Sequence, residues 1–253
     1  MGVADSFSVK RRQVSGGQRS IVNLKSIFQV DRWLYPPVCL VCGLEGRKGL
    51  DCCEPCQAEL PMVSAQCRRC GLELVRNVEL CGRCSQRLPY FDSGRSAFAY
   101  RGAVEALIQR FKFGRDLAAG RVLSALMAEQ VRSQDWPPPQ LMVPVPLHRG
   151  RRWLRGFNQS EMLCRDLSKR LGDLPWSSVL QRRRATRAQS ELPADRRRGN
   201  VRGAFQLKRL PPDVRHIALV DDVMTTGSTL DECARVLKRA GVERVDLWVL
   251  ARA

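Results

Sequence analysis

The sequence predicts an α/β protein: a mainly parallel sheet preceded by a cysteine-rich, metal-binding module. Three observations predict it. Strand and helix patterns alternate after residue 140. Four CxxC knuckles lie between residues 39 and 84. An apolar run, 217–220, ends in an acid pair and a Thr/Gly/Ser loop that opens a helix. The chain has 253 residues, which allows one large domain or two ordinary ones. A hydrophobic content of 44% excludes a wholly disordered chain. No run of about 18 apolar residues occurs, so no transmembrane helix is expected. The first 17 residues hold a basic cluster with no apolar stretch behind it, so no secretory signal is expected. A cytoplasmic location and reduced cysteines are therefore expected.

The elements are expected in this order. Residues 1–32 form a basic leader; 1–19 read as floppy, and part of the stretch from Ile21 to Leu34 as an amphipathic helix. Residues 33–90 form the cysteine module and 91–253 the α/β domain. Ser96–Tyr100 is a short strand, followed by helices near 102–112 and 117–132. The proline run 137–139 breaks the chain. Residues 140–145 are a buried strand, and the apolar spacing across Glu161–Leu171 is helical. Residues 179–209 are Arg-rich and weakly structured. Residues 216–223 form the strongest strand, 228–240 a helix with Gly241 as its C-cap, and 243–250 a last buried strand.

The knuckles are Cys39/Cys42, Cys53/Cys56, Cys67/Cys70 and Cys81/Cys84, with 10 residues in each gap between them. A CxxC turn aims two thiolates at one ion, and two knuckles complete a tetrahedral S₄ site, so four knuckles fit two zinc ions. The segment is short and apolar-poor, so metal binding would supply its folding energy. An iron–sulfur cluster, a disulfide scaffold and a redox CxxC are the competing readings. Equal gaps leave the pairing open; sequential pairing, giving two stacked ribbons, is preferred over a cross-braced one. Cys52 reads as a spare thiol, and Cys164 and Cys233 as small buried helix residues.

Asp221 and Asp222 close the strand, and the loop Met224–Thr229 opens the next helix. Loop amides and a helix N-terminus make an anion site, and Thr225, Thr226, Ser228 and Thr229 add hydroxyls. Gly227 permits close approach of a phosphate. Two carboxylates beside such a cradle need another partner. Vicinal ribose hydroxyls, or Mg²⁺ bridging them, fit that need. Phosphate and diol together specify a ribose 5-phosphate unit. An ordinary strand–turn–helix with capping hydroxyls is the bland alternative.

Residues 143–159 place Arg149, Arg151, Arg152 and Arg155 in a loop after what reads as a central strand, then Asn158 and Gln159 at a helix start. Guanidiniums in a loop suit a diphosphate, because Arg pairs bidentately with phosphate oxygens. His148 reads mainly as a neutral loop residue, with leaving-group protonation as the minor reading. Residues 184–205 could close over a bound phosphate ester as a flap, or be only a solvated charged loop.

The segment 217–229 resembles the phosphoribosyl-pyrophosphate (PRPP) motif of type I phosphoribosyltransferases. Together PVPLHxxxxxxRGFNQ, RxTxxQxxLxxxxRxxNxxxAF, VDDVMTTGST and the CxxC array look like the ComF family, the competence-protein and GntX-like group. The resemblance spans about residues 33–253. It implies a type I phosphoribosyltransferase-like parallel sheet with an N-terminal double zinc ribbon, and a place in DNA uptake and natural transformation. By resemblance, Asp221 and Asp222 hold the ribose hydroxyls and Thr225 to Thr229 the 5′-phosphate. Arg155 and the Asn158–Gln159 region hold pyrophosphate, while Thr186, Gln189, Arg197 and Asn200 seal the site. The implied ligands are PRPP, Mg²⁺ and two structural zinc ions. Two functions remain: Mg-dependent phosphoribosyl transfer to an unidentified acceptor, or a non-catalytic module. The second would bind single-stranded DNA or sense PRPP beside a helicase or recombination partner.

The formal charge is +18, and its location narrows its meaning. Residues 141–216 hold 18 basic against 6 acidic residues, two-thirds of the excess. The positive charge therefore surrounds the expected phosphate-ester pocket rather than the cysteine module.

Overall fold

The computed structural model describes residues 36–47, 49–133, 138–184 and 201–253, without the side chains of Arg149 and Arg151. The leader 1–32 and the flap residues Thr186, Gln189, Arg197 and Asn200 lie outside the described residues. Residues Pro37–Ala253 form one compact unit.

Apolar periodicity places the main elements. Helices α1 (Glu54–Ala58) and α2 (Gly82–Gln86) belong to the cysteine module. They are followed by β1 (Ser93–Ala99), α3 (Gly102–Phe113), α4 (Leu117–Arg132), β2 (Leu141–Pro144), α5 (Arg149–Arg155) and α6 (Gln159–Arg170). Then come β3 (Leu180–Arg182), β4 (Phe205–Leu207), β5 (His216–Met224), α7 (Ser228–Arg239) and β6 (Arg244–Arg252). Four strands form a parallel sheet in the order β1-β6-β5-β2.

Alternate side chains of β5 serve opposite faces, as the period of two requires. Ala218 and Val220 join one core with Leu107 and Ile108 of α3, Leu123 of α4 and Leu163 of α6. Ile217 and Leu219 join the other core with Leu230, Cys233 and Leu237 of α7. Cys164 and Cys233 are indeed buried small residues in these cores.

The cysteine module wraps the edge strand β1. The Val63 amide donates to the Ala97 carbonyl (3.2 Å), the Ala99 amide to Pro61 (2.9 Å) and the Gly94 amide to Arg68 (3.0 Å). Ser96 donates its hydroxyl to the Gly71 carbonyl at 3.0 Å. These bonds cover an edge that would otherwise be open to foreign strands. Cys39, Leu50, Cys52 and Leu60 enter the α3/α4 core. Cys67, Cys70, Cys81 and Cys84 enter the α7 core. Thus each half of the module packs on a different face of the sheet. The segment is apolar-poor by itself, and it shares its core with the rest of the chain.

Four expectations need correction. First, β2 is the last strand of the sheet rather than a central one. It is short and ends at Pro144, whose missing N–H suits an edge; β5 and β6, nine residues each, take the centre. Second, the Arg149–Arg155 stretch is a helix rather than a loop. His148 caps it by accepting from the Gly150 amide, and Gly156 at φ 84° stops it in the left-handed region. Third, the described ends of the Arg-rich stretch 179–209 are ordered: β3 pairs antiparallel with β4. Phe205 and Leu180 are buried there, which anchors the pair. Fourth, helix α7 ends at Arg239 with Ala240 as C-cap, and Gly241 comes next at φ 91°.

Candidate active site and zinc centres

The site gathers at the C-terminal end of β5. Asp221 and Asp222 lie in the last rungs of the β5 ladder, Asp222 two residues before it ends at Met224, and Asp222 is buried. Ser160, at the start of α6, donates its hydroxyl to Asp221 Oδ1 at 3.0 Å. The Asp222 amide donates to the same oxygen at 3.0 Å. Lys112, in the last turn of α3, places its Nζ 3.1 Å from Asp222 Oδ1. Burial, reinforced by the Asp222 charge, pushes the Asp221 carboxyl up to about 7; Lys112, the Asp222 amide and Ser160 oppose this. The pair is therefore poised to release a proton when a cation or a diol engages it.

The loop after β5 turns on Gly227, at φ +77°. A Cβ there would lie 2.4 Å from the terminal methyl of Met224, which would have to swing aside, and the left-handed φ itself strains any side chain at this position. Thr226 and Ser228 share a 2.9 Å hydroxyl hydrogen bond. The Ser228 amide, at the N-terminus of α7, donates to Thr226 Oγ1 at 3.4 Å. Thr225, Thr226, Gly227, Ser228 and Thr229 thus present hydroxyls and amides around a helix start, the arrangement an anion needs.

The middle stretch supplies fewer free guanidiniums than its composition suggests. Arg152 is paired with Glu161 at 3.1 Å. Arg155 stacks over the Phe113 ring, 5.1 Å from its centroid, and donates to Gln159 Oε1 at 3.3 Å. Gln159 is buried, and its Nε2 has no partner among the described residues. Asn158 caps α6 by accepting from the Ser160 amide, and its Nδ2 donates to the Val145 carbonyl at 3.1 Å. Its side chain ties Val145, the residue after β2, to the start of α6 and thereby positions Ser160 beside Asp221.

Three residues of this site have no counterpart in the sequence motifs. Lys112 is a cation flanked by Phe111 and Phe113, an unusual place for one, which was the available signal. Ser160 comes directly after the RGFNQ motif. Arg252 ends the apolar run of β6, buried, and its Nη1 donates to the carbonyls of Met224 (2.9 Å) and Thr225.

The thiols fall into two tetrads, Cys39/Cys42/Cys53/Cys56 and Cys67/Cys70/Cys81/Cys84, with all sulfurs of a tetrad within 4.8 Å of one another. Pairing is sequential. The Cys42–Cys53 and Cys70–Cys81 sulfurs are 3.7 Å apart. A Zn–S bond of about 2.3 Å gives a tetrahedral edge of about 3.8 Å, so both donor sets fit zinc. The Cys81 amide also donates to the Cys67 sulfur at 3.2 Å, an orienting bond from outside the tetrad's thiols. Cys52 stands apart: burial pushes its thiol up to about 11, and its Sγ lies 3.6 Å from its Cys53 carbonyl acceptor.

Residues 30–85 match the double zinc ribbon domain, and residues 158–253 match the phosphoribosyl transferase domain. Competence protein F of Haemophilus influenzae is 40% identical over 161 residues, 61% of this chain and 70% of that protein. The chain belongs to the ComF family. DNA utilization protein YhgH of Escherichia coli (strain K12) is 41% identical over 157 residues, 60% of this ComF-family chain and 69% of that protein. Competence protein ComFC of Streptococcus pneumoniae is 28% identical over 167 residues, covering 63% and 68%. Among solved structures, a purine phosphoribosyltransferase from Pyrococcus horikoshii aligns with 53% of this chain and 83% of that one, at TM-score 0.33 and 17% identity. The ComF family thus combines, in this chain, a parallel sheet carrying an acid pair with a double zinc ribbon.

Proposed function

We propose that this chain binds PRPP, or a related ribose 5-phosphate ester, with Mg²⁺. We assign it to the cytoplasmic side of DNA uptake and natural transformation. The observation that carries the ligand reading is the acid pair Asp221/Asp222 beside the Gly227-centred loop, with Lys112 and Ser160 controlling the charge of the pair. In this reading Asp221 and Asp222 hold the ribose diol, and residues Thr225 to Thr229 hold the 5′-phosphate. Arg155 and Gln159 face the diphosphate, with the unpartnered Gln159 amide as a ready donor. Mg²⁺ supplies charge neutralisation on the diphosphate when bound. If the chain turns over, the C1–O bond to pyrophosphate breaks and a C1–acceptor bond forms through an oxocarbenium-like state. The two carboxylates would stabilise its positive charge. Competence and DNA utilization in the relatives' names support the biological assignment. Among the described residues no helix is long and apolar enough to cross a membrane.

The test is calorimetry with PRPP and Mg²⁺ on wild type and on the Asp221→Asn/Asp222→Asn variant. Wild type should bind and the double variant should not; equal binding by both would sink the assignment. A product screen for pyrophosphate release with candidate acceptors then separates transfer from sensing.

A second reading, single-stranded DNA binding beside a helicase or recombination protein, is favoured by one cleft. It has a volume of about 630 Å³ and is lined by Arg87, Tyr90, Arg202, Ser228, Arg235 and Arg239 among others. Arg235 is paired with Glu232 there and Asp231 also lines the cleft; the guanidiniums of Arg87, Arg202 and Arg239 with the Tyr90 ring suit a phosphodiester strand with unstacked bases. Affinity for a single strand should fall steeply with salt. No binding at low salt would remove this reading.

A further inference from the structure

The two cysteine tetrads are chemically alike and sterically unlike. All four thiols of Cys67/Cys70/Cys81/Cys84 are buried. In the first tetrad only Cys39 is buried; Cys53 and Cys56 are half-buried and Cys42 is exposed. An open depression of about 540 Å³, lined by Glu45, Gly46, Arg47, Cys53, Glu54 and Pro55, reaches this tetrad from solvent. The Cys42 and Cys53 sulfurs lie 3.7 Å apart. An accessible thiolate with a second thiolate beside it is the arrangement that reacts with oxidants and closes to a disulfide. Cys70 and Cys81 of the second tetrad have the same spacing, but both are buried.

The first knuckle also holds the helix that serves the acid pair. The Leu40 carbonyl, between Cys39 and Cys42, accepts from Arg110 Nη1 at 2.9 Å. The same guanidinium pairs with Asp116 at 2.7 Å, and Asp116 caps α4 by accepting from the Ala119 amide at 3.0 Å. The knuckle thus clasps the end of α3 and the start of α4. Lys112, two residues after Arg110, reaches Asp222 from that last turn of α3. Elsewhere in the first ribbon, Arg47 and Gln57 both donate to the Glu129 carboxylate of α4, at 2.8 and 2.9 Å. The second ribbon meets α3 at the opposite end, where Glu73 pairs with Arg101, the N-cap.

We propose that the first tetrad is a redox-releasable metal site that sets the position of Lys112, while the second tetrad is a permanent staple. The oxidant is a peroxide. The Cys42 thiolate attacks one peroxide oxygen, the O–O bond breaks, hydroxide leaves and Cys42 becomes a sulfenic acid. The Cys53 thiolate then attacks the Cys42 sulfur, the S–O bond breaks and a second hydroxide leaves. Two thiolates have given two electrons to one peroxide, and a Cys42–Cys53 disulfide has formed. Cys39 and Cys56 alone do not hold the ion, which passes to solvent. The knuckle opens, Arg110 loses the Leu40 carbonyl, and the last turn of α3 loosens around Lys112. The consequence for ligand binding rests on the reading of the acid pair as the ribose site; metal release and the loosening of α3 do not.

The experiment adds hydrogen peroxide to the zinc-loaded full chain. Zinc release is followed with a chromophoric chelator, oxidised cysteines are mapped by mass spectrometry, and amide hydrogen exchange is measured. One zinc ion should leave about tenfold faster than the other. The disulfide should map to Cys42–Cys53, and a thiol reductant with added zinc should reverse it. Exchange across residues 109–116 should quicken about tenfold, and affinity for PRPP should fall by a similar factor. Arg110→Met breaks the clasp without touching a thiol. It should show the faster exchange before peroxide is added and little change afterwards; the wild-type measurements decide even if this variant fails to fold. Release of both ions together overturns the proposal, as does earlier loss from the second tetrad. So does unchanged exchange across residues 109–116 once the first ion has left. If wild type does not bind PRPP, the reading of the acid pair fails, while the zinc and exchange data still decide the coupling.

Discussion

Replacing Asp221 with Asn should stabilise the unliganded protein at pH 8 while removing its ligand binding. The side chain accepts from Ser160 Oγ and the Asp222 amide, and an Asn Oδ1 can accept the same two bonds. What the substitution removes is a carboxylate whose pKa burial and the Asp222 charge push from 3.8 to about 7. Linkage gives the sign. The folded state retains a proton that the unfolded chain releases, so Asp221 stabilises fully below the unfolded value. That contribution is lost as pH rises through the folded value. About three units at 1.36 kcal/mol each set an upper limit of about 4 kcal/mol. Screening at the half-buried strand end reduces this to an expected ~2 kcal/mol, a rise in Tm of about 4–8 °C for a chain this size. Thermal unfolding by circular dichroism at pH 5, 6, 7 and 8, with zinc content checked, is the assay. The gap between variant and wild type should open from pH 5 to 7 and level off above it. No gain at pH 8, or an equal gap at pH 5 and pH 8, would refute the reasoning.

The same geometry sets the outcome of other perturbations. Lys112→Met leaves the acid pair without its cation and should destabilise by about 2–3 kcal/mol at pH 8. The loss should shrink at pH 5, as read by urea unfolding, and Asp221→Asn should partly restore the double variant. Gly227→Ala meets both a left-handed φ and Met224 Cε at 2.4 Å. It should cost about 1–2 kcal/mol and sharply weaken calorimetric binding of PRPP. Metal analysis should find about two zinc ions per chain. Chelation should lower the Tm of the whole chain in one cooperative transition, because the two ribbons enter opposite cores. A surviving transition at the original Tm would contradict that packing. Ligand affinity should rise with pH up to about 7 as Asp221 ionises; a flat calorimetric profile from pH 5.5 to 8 would count against the acid pair as ligand.

Much of the candidate site's local geometry was legible in one dimension, for a physical reason. A cysteine knuckle and a glycine turn between strand and helix are local devices: CxxC needs only its own turn, and VDDVMTTGST needs only a strand end, a tight loop and a helix start. Periodicity located β5, α7 and β6 because each buries one or both faces. The short α5 and the β3/β4 pair were less visible. The helix depends on a His cap and a glycine stop rather than an apolar stripe, and each strand of the pair has only three residues.

The sequence by itself determined the metal donors, the acid pair, the glycine turn and the location of the positive charge, since each depends on residues close along the chain. The tertiary structure alone decided what these groups meet. Lys112 reaches Asp222 across 110 positions, and Arg252 reaches under a loop that begins 28 residues before it. The order β1-β6-β5-β2 placed the Arg-bearing segment after an edge strand, and the covered edge of β1 set one ribbon against each face of the sheet. Such contacts depend on packing between distant segments, and no local pattern encodes their pairing.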